Sequence, residues 1–426
     1  MVSSGLGLAL NISICLSLQV VYLMVEVIRH GVILQASHHS FENQAVLNPT
    51  CVQIGKTVHM FYRAVHSGNH SSVGYCRLKG PTEVVYRSKK PVLVASAPHE
   101  KHGIEDPRVV FVDGTYYMFY SAYDGLSCVV SYATSKDLKN WTKQKIISPT
   151  FTYDELGNIF RERTFKLKER YLFFDEYFEA TVGKKVLVWE KDSFIFPKKF
   201  KGKFALIHRI LPDIQIAYFK NFKELNKEYW RKYAHNLKKY IVLEPQHGFE
   251  SRNIGGGVPP IETEKGWLMI YHAVEDSNQG KIYHAAAALL DKNDPTKVIG
   301  RLEKPLFSPT ELYEKQGDVN NVVFPTGTAL FGDRLYIYYG AADKRIAAVS
   351  VSLTELLAEL DHATNPKYLS EIILKKIPTH FVDSSKIYSC DKCNLKPYYL
   401  ALGWLLRDGK ISVHQRQDKL FVKLKK

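Results

Sequence analysis

The chain has few cysteines for its length, six among 426 residues, at positions 15, 51, 76, 128, 390 and 393. Thiols so few and so scattered do not make a disulfide framework, which predicts a reducing compartment and a cytoplasmic location. Cys390 and Cys393 form one CxxC pair, which His380 and His414 could complete as a zinc site. Neither histidine stands at a familiar zinc spacing, so we expect no metal there.

A convincing secretion or membrane segment is also missing. Residues 5–24 are apolar, but no Lys or Arg precedes them, polar residues interrupt them and no small-residue cleavage site follows. Met24 is a candidate for the true start of translation. We therefore separate residues 1–36 as an N-terminal segment, either a weak signal or anchor or not native, and we expect no membrane partner.

Long runs of one charge are absent as well, although the net charge is +15. The 58 Lys and Arg residues are spread along the whole chain, and the longest dense run is KKFKGK at 198–203. Such an excess is typical of general solubility, so we expect no nucleic-acid partner. The 26 Tyr and 22 Phe residues favour strands. Candidate helices are few, chiefly 224–240 at the surface and 353–360.

One strand pattern recurs five times: an alternating apolar run, then an aromatic residue or His, then a small or polar residue. The copies are VHMFYRAV (58–65), YYMFYSAY (116–123), FALIHRIL (204–211), WLMIYHAV (267–274) and LYIYYGAA (335–342). The longest gap between copies contains an extra segment, 151–192. The interval from one copy to the next is the length that a four-stranded sheet needs, and radial repetition of such sheets makes a propeller. The sequence predicts an all-β fold, a five-bladed β-propeller over residues 37–360.

The ends of the five strands share a register, at Arg63, Ser121, Arg209, His272 and Gly340. Strands of this kind converge on the central axis of a propeller, so these positions should line one funnel. Two arginines and a histidine at such places predict a site for a phosphate or a carboxylate. Asp343 adds a carboxylate nearby. Because the funnel offers cations rather than a ring of carboxylates, we expect no metal ion in it.

The stretch GIEDPR, residues 103–108, places two acids at the start of a strand hairpin. Pro107 restrains the residue before it, which predicts an extended backbone at Asp106. Neighbouring side chains on an extended segment point to opposite faces, so only one of Glu105 and Asp106 can face the funnel. A salt bridge between Asp106 and Arg108 is the structural alternative, but a place beside the funnel favours a functional role for Asp106.

Several motifs resemble those of glycoside hydrolase family 130, which includes the β-mannoside phosphorylases. They are GIEDPR with YYMFYSAYDG, then LIHR, NIGGGVPPIETEKGWLMIYHAV, GDVNNVVFPTG and LYIYYGAAD. The similarity runs in order from about Asn48 to about Leu360. It implies a five-bladed propeller that cleaves β-linked manno-oligosaccharides by inverting phosphorolysis and releases mannose 1-phosphate. Inorganic phosphate would be the co-substrate, and no cofactor would be needed.

The same resemblance implies roles for individual residues. Asp106 would be the general acid, acting through a sugar hydroxyl, and Glu105 would point into the blade toward Arg108 or a lysine. The mannosyl unit would be held by Asn48, Arg63, Asp343, Tyr123 and Asp124. Phosphate would be bound by Arg209 and His272. The family's phosphorylases usually carry a lysine directly before the IGxG turn as a further phosphate contact, where this chain has Asn253 with Arg252 beside it. Either Arg252 substitutes for the lysine from one residue away, or the phosphate site is weaker than in those phosphorylases.

Two alternatives to phosphorolysis stay open. Retention of Arg209 and His272 favours phosphorolysis, because phosphate itself attacks the anomeric carbon and only an acid is needed beside it. A β-mannosidase on the same scaffold would need a base to activate water, and Glu250 and Glu262 are the candidates. A propeller that only binds glycans would need neither acid nor base.

Residues 366–426 read as a separate unit. YYLALGWLLRDGKISVHQRQDKLFVKL predicts a helix followed by a hairpin of two short strands, and it resembles the second half of a small winged-helix domain. On a metabolic enzyme such a domain is more often a packing or association module than a DNA reader. We therefore predict an α+β appendage, which leaves a homo-oligomer open.

Overall fold

The part of the chain that the structure describes is mostly strand, with few helices. The structure is a computed structural model that describes residues 25–162, 169–278, 280–362, 370, 373–374, 377–387, 396–416 and 419–425. No helix within these ranges is long and apolar enough to span a membrane. The apolar stretch 5–24 lies outside the described residues.

Strand β1 (Ile28–Leu34) is followed by two antiparallel meanders of four strands each. The first contains β2 (Ala45–Ile54), β3 (Thr57–His66), β4 (His70–Lys79) and β5 (Glu83–Arg87). The second contains β6 (Gly103–Val112), β7 (Thr115–Tyr123), β8 (Cys128–Ser135) and β9 (Thr142–Ile146). One parallel bridge between Ser71 and Gly103 joins the two meanders into one larger sheet.

A helical insert precedes the third sheet. It contains α1 (Tyr153–Arg161) and α2 (Glu169–Val182). The third sheet contains β10 (Phe194–Ile195), β11 (Phe204–His208), β12 (Ile214–Phe219) and β13 (Ile241–Leu243). Between β12 and β13 lies α3 (Lys227–Ala234), which is shorter than the surface helix predicted for 224–240. It also buries Trp230 and Tyr233, so only one of its faces is exposed.

The fourth and fifth sheets follow the same meander pattern. The fourth contains β14 (Asn253–Gly256), β15 (Ile261–Glu262), β16 (Trp267–Ser277), β17 (Gly280–Leu290) and β18 (Val298–Arg301). After α4 (Leu312–Lys315), the fifth contains β19 (Val323–Phe331), β20 (Arg334–Ala341) and β21 (Arg345–Ser352), and α5 (Leu353–His362) ends this region. The fourth strand of the fifth sheet is β1, antiparallel to β21. Part of the segment separated at residue 36 therefore belongs to this sheet.

The described part of the C-terminal unit is a small α+β structure. It contains β22 (Val382–Asp383), a helix numbered α6 here (Lys396–Arg407), β23 (Ile411–Arg416) and β24 (Lys419–Leu424). Its strands pair in the order β22-β24-β23. Cys390 and Cys393 lie outside the described residues. Within the described ranges, no group of three or more His, Cys, Asp and Glu side chains is placed to hold a metal.

A buried acid stands beside four of the five sheets and is neutralised in the same way each time. Each of these glutamates accepts a hydrogen bond from a tyrosine on the second long strand and pairs with a cation on the outermost strand. The four triads are Glu42–Tyr62–Arg87, Glu100–Tyr120–Lys143, Glu250–Tyr271–Arg301 and Glu314–Tyr339–Arg29. In the third sheet Glu190 pairs instead with His208, which bonds Tyr233. The tyrosine or histidine is the aromatic position of the sequence repeat.

The apolar core lies between consecutive sheets. Separate clusters pack the first sheet on the second, as at Phe61 and Met118, and the fourth on the fifth, as at Leu268 and Ile337. The largest cluster joins the second, third and fourth sheets. A further cluster packs the fifth sheet on the first, with side chains such as Tyr338, Ala348, Val46 and Met60.

Candidate active site

In each of the five sheets, the residue after the repeated Tyr or His points the other way, because successive side chains of a strand alternate between faces. These residues are the five predicted for the funnel, Arg63, Ser121, Arg209, His272 and Gly340. Arg63 reaches the carboxylates of Glu105 and Asp106, whereas Arg209 and His272 share a different partner, Asp192. A Cβ at Gly340 would lie 2.0 Å from Oδ1 of Asn48, so only glycine fits there.

Asp106 is buried and fixed by Asn48. Nδ2 of Asn48 donates to Oδ1 of Asp106 at 2.8 Å, and Nη1 of Arg63 lies 4.0 Å from the same oxygen. The backbone at Asp106 is not extended as predicted, because its φ is +52°. Arg108 does not pair with the carboxylate and instead donates to the main-chain oxygens of Asp106 and Pro107. The salt bridge offered as the structural alternative is therefore not formed.

The prediction that Glu105 points away from the funnel is wrong. Its carboxylate accepts from Nη2 of Arg63 at 2.6 Å and from Nζ of Lys191 at 3.1 Å. A bulge between Glu105 and Arg108 interrupts the pairing of β6 with β7, so simple alternation fails at this point. Burial raises the pKa of Glu105, but Arg63 and Lys191 outweigh it and hold that pKa below its ordinary value.

A second group of charges surrounds Asp192, directly before β10. Its carboxylate lies 3.3 Å from Nη1 of Arg209, 3.8 Å from Nη2 of Arg108 and 3.9 Å from Nε2 of His272. Burial raises the pKa of Asp192, but Arg209 and its other positive neighbours more than offset this and lower the pKa overall. Four buried polar atoms of this group make no hydrogen bond: Nη2 of Arg108, Nε of Arg209, Nδ1 of His272 and Oδ1 of Asp192.

His272 is a neutral donor or acceptor rather than a cation. Its ring is buried against Phe324, with 4.4 Å between the ring centroids. Burial, opposed by Asp192 and assisted by Arg209 and Arg108, lowers its pKa to about 4. At neutral pH His272 therefore offers the site a hydrogen bond rather than a positive charge. A Cβ at Gly255 would lie 2.3 Å from the ring, so the glycine turn lets the histidine reach Asp192.

Asp343 completes the cluster from the loop after β20. Burial raises its pKa to about 6; Arg63 opposes the rise, while Asp106 and Glu105 add to it. Asp343 shares an uncommon backbone conformation with three other members of the site. The φ angles are +48° at Asn48, +52° at Asp106, +58° at Asp192 and +50° at Asp343. Non-glycine residues held in the left-handed region cluster at functional sites.

Four other predicted site residues are engaged locally. Arg252 pairs with Asp276 at 3.3 Å and lies over the rings of Phe174 and Tyr177 in α2. Asn253 is buried in β14, opposite Val274 of β16. The hydroxyl of Tyr123 donates to the carbonyl of Gly125, and Asp124 accepts from the amides of Leu126 and Ser127. Among the described contacts, none joins Arg252 or Asn253 to the group around Asp192.

The two candidate bases of the hydrolase alternative are committed elsewhere. Glu250 is fully buried in its triad and also accepts from the amides of Gln246 and His247. Glu262 is 43% exposed and lies 3.4 Å from the ammonium group of Lys198. Neither glutamate contacts Asp106, Arg63 or Asp192 in the part of the chain that the structure describes.

Lys191, Asp192 and Tyr283 also belong to this site but are not predicted from the sequence, and Arg108 is predicted only as a salt-bridge partner. Lys191 and Asp192 were assigned to the extra segment between two repeats, and Tyr283 of β17 stacks near His272 at 6.3 Å. A signal for Asp192 was present, because it stands just before the first strand of a sheet, as Asp106 stands at the start of β6. Nothing in the local sequence distinguishes Tyr283 from the many other tyrosines of this chain.

Comparison with known families gives one decisive match. Residues 25–362 match glycoside hydrolase family 130, described as beta-1,4-mannooligosaccharide phosphorylase. The chain belongs to glycoside hydrolase family 130. This confirms the family resemblance found in the motifs between Asn48 and Leu360.

Relatives within family 130 match this chain over nearly all of their own length. The chain is 32% identical over 338 residues to a 1,2-beta-oligomannan phosphorylase of Thermoanaerobacter. The matched region covers 76% of this chain and 96% of the relative. It is 33% identical over 332 residues to a beta-1,2-mannobiose phosphorylase of the same organism, covering 74% and 92%. A solved beta-1,2-mannobiose phosphorylase from Listeria innocua superimposes with a TM-score of 0.59 at 24% identity, over 79% of this chain and 99% of that one. This likeness shows a shared fold.

Proposed function

We propose that this family 130 protein cleaves β-mannosides by phosphorolysis with inversion and releases α-mannose 1-phosphate. Two relatives that it matches over most of their length are named as phosphorylases of β-1,2-linked mannosides. Oligomers of β-linked mannose and inorganic phosphate are then the two substrates. The choice between 1,2- and 1,4-linkages is left to experiment, because the family description and the relatives differ on it.

The observation that carries this proposal is the set of unpaired donors around Asp192. Nη2 of Arg108, Nε of Arg209 and Nδ1 of His272 are buried without a hydrogen-bond partner. Buried polar atoms are nearly always paired, and a guanidinium is the preferred partner of phosphate oxygens. Asp192 holds Arg209 through Nη1 and so leaves Nε for another acceptor. We assign this group as the phosphate site.

The other charge group fits the sugar and the acid. Asp106 is the proposed general acid, and Asn48, Arg63 and Asp343 surround it as ligands for the mannosyl unit. Phosphate attacks the anomeric carbon while the bond to the leaving oxygen breaks, and the proton from Asp106 ends on that oxygen. The proton of the attacking phosphate then restores Asp106. The second carboxylate that a hydrolase needs to activate water is not required.

Phosphate binding by the isolated protein tests the assignment of the Asp192 group. Calorimetric titration with inorganic phosphate should give a saturable signal that Arg209→Ala weakens at least about tenfold, since a charged hydrogen bond contributes roughly 1.5–3 kcal/mol. Arg252→Ala is the matched control and should leave phosphate affinity unchanged, because Asp276 and α2 engage that guanidinium. Equal losses in both variants would contradict the assignment.

We also propose that the five sheets are the blades of a five-bladed propeller, with β1 completing the fifth blade. The support is the order of the apolar clusters, which join each sheet to the next and the fifth to the first. The repeated acid–tyrosine–cation triad supports the same radial repetition. The unit from residue 366 onward is proposed as a winged-helix-like appendage, in line with its helix followed by a hairpin.

A further inference from the structure

A row of half-buried rings leads from the β3–β4 turn to the helical insert. The rings of His66 and His70 are stacked at 5.4 Å, and those of His70 and His102 at 5.1 Å. Tyr123 lies 6.0 Å from His102, and Trp189 lies 6.1 Å from Tyr123. We call these five side chains the aromatic row. It joins three separate parts of the chain on one partly exposed surface.

Local hydrogen bonds hold several of these rings in place. Nδ1 of His66 and Nδ1 of His70 bond main-chain oxygens of their own turn, at 2.7 and 3.1 Å. The hydroxyl of Tyr123 and the indole N–H of Trp189 each donate to a main-chain oxygen of the loop after β7, both at 2.8 Å. A Cβ at Gly125 would lie 2.7 Å from the ring of His102, so this loop packs closely on the row. The three histidine rings are stacked, so each covers part of the face of the next, whereas Tyr123 and Trp189 stand edge-on to their neighbours. The row therefore offers a preformed, partly exposed aromatic surface.

The row ends at Trp189, next to Lys191, which contacts the neighbour of the proposed acid. Nζ of Lys191 lies 5.7 Å from the centre of the Trp189 ring and 3.1 Å from the carboxylate of Glu105. Tyr123 pairs in the sheet with Gly103, two positions before Glu105. The donors assigned to phosphate gather instead around Asp192. In an inverting displacement the nucleophile and the leaving group occupy opposite faces of the sugar, so the row is assigned to the leaving-group side.

We propose that the aromatic row binds the leaving part of a β-linked oligosaccharide, in subsites beyond the sugar attached to it. This inference rests on the proposed function, because it takes the bond to be broken at Asp106. The apolar faces of sugar rings pack on aromatic side chains, which bury large areas at a low cost in side-chain freedom. Substrates with several units on the leaving side then gain affinity that a disaccharide does not.

Binding to an inactive parent tests the proposal without turnover. Asp106→Asn protein is titrated calorimetrically with β-linked di-, tri- and tetrasaccharides of mannose, in both 1,2- and 1,4-linked series. In at least one series the tetrasaccharide should bind about tenfold or more tightly than the disaccharide. His70→Ala and, separately, Trp189→Leu in that parent should each reduce this ratio by about three- to tenfold, the range expected for one ring contact.

Tyr86→Ala is the matched control, because this ring is 43% exposed but lies on β5 against Arg77. It should keep the full dependence on chain length. The proposal is overturned if the parent binds all lengths equally or not at all. It is also overturned if His70→Ala, with an unchanged melting temperature, keeps the full ratio. Loss of the proposed function would show differently, as cleavage by the wild type that does not depend on phosphate.

Discussion

Asp106 depends on its backbone as well as on its side-chain partners. Its left-handed φ and the hydrogen bond from Asn48 hold the carboxylate beside Arg63. Asp106→Asn keeps this shape but removes the proton, so turnover with β-mannosides should fall by a factor of about 10² to 10⁴. Sugar affinity and melting temperature should change little. Steady-state kinetics and thermal unfolding of the same preparation measure all three quantities.

Glu105 gives the comparison for that variant. Its carboxylate lies between Arg63 and Lys191, so Glu105→Gln should loosen both cations. We expect a higher KM for the mannoside and a smaller loss of kcat than in Asp106→Asn. If Glu105→Gln is inactive while Asp106→Asn retains wild-type turnover, the assignment of the acid is wrong.

Asp343 predicts a specific dependence of stability on pH. Its pKa is raised to about 6 in the folded protein, so the unfolded chain gives up this proton more readily. The contribution to stability is present below pH 4 and is lost as the pH rises through 6. The free energy of unfolding falls by at most about 3 kcal/mol, and screening of the charge by solvent makes the fall smaller. Asn does not titrate, so Asp343→Asn should become more stable relative to wild type between pH 4.5 and 7.5.

Chemical denaturation at several pH values measures this difference directly. Only the change in the gap between variant and wild type matters, since other groups titrate equally in both proteins. A gap that stays constant from pH 4.5 to 7.5 would show that Asp343 is not held protonated by the fold.

At the scale of elements, the acids of the triads have a structural role, unlike the acids around Asp106. Glu250 accepts from Tyr271 and lies 2.6 Å from Nη2 of Arg301. Glu250→Gln leaves Arg301 buried without its counter-charge, so the free energy of unfolding should fall by roughly 2–4 kcal/mol. The kcat on β-mannosides should stay within about twofold of wild type. The exposed Glu262 gives the control, and Glu262→Gln should change neither quantity.

This pair of variants also decides the hydrolase alternative. A kcat lowered more than about a hundredfold by Glu250→Gln, with an unchanged melting temperature, would identify it as a catalytic base. Thermal unfolding and kinetics at saturating substrate distinguish the two outcomes.

The helical insert contacts the main chain of residues next to the site. Arg170 of α2 donates to the carbonyls of Ser251 and Arg252, and the guanidinium of Arg252 lies over Phe174. The insert therefore packs on the residues that enter the glycine turn. Arg252 is used for this contact, and among the described contacts it makes none with the group around Asp192.

The sequence was sufficient to predict the regular strands. Five strands of one pattern were visible because alternating apolar residues and a shared aromatic position survive in each copy. Bulges are different, since one extra residue shifts the faces of the side chains without changing the local composition. That is why Glu105 was assigned to the wrong face. Lys191 and Asp192 escaped because the first strand of their sheet, β10, spans only two residues.

At the scale of the whole molecule, the fifth sheet is completed by a strand that is distant in sequence. β1 pairs with β21, and Arg29 of β1 lies 3.1 Å from Glu314, the buried acid of the triad in the fifth sheet. Local patterns cannot reveal such a pairing, because β1 carries no copy of the repeated strand. Residues from all five sheets meet in the two groups of charges around Asp106 and Asp192.

Product analysis with and without phosphate tests the central claim most directly. The protein is incubated with β-1,2- and β-1,4-linked manno-oligosaccharides, and sugars and sugar phosphates are identified by ¹H and ³¹P nuclear magnetic resonance. We predict α-mannose 1-phosphate in the presence of phosphate and almost no cleavage in its absence. Free mannose released at the same rate in both reactions would contradict phosphorolysis and make this protein a mannosidase.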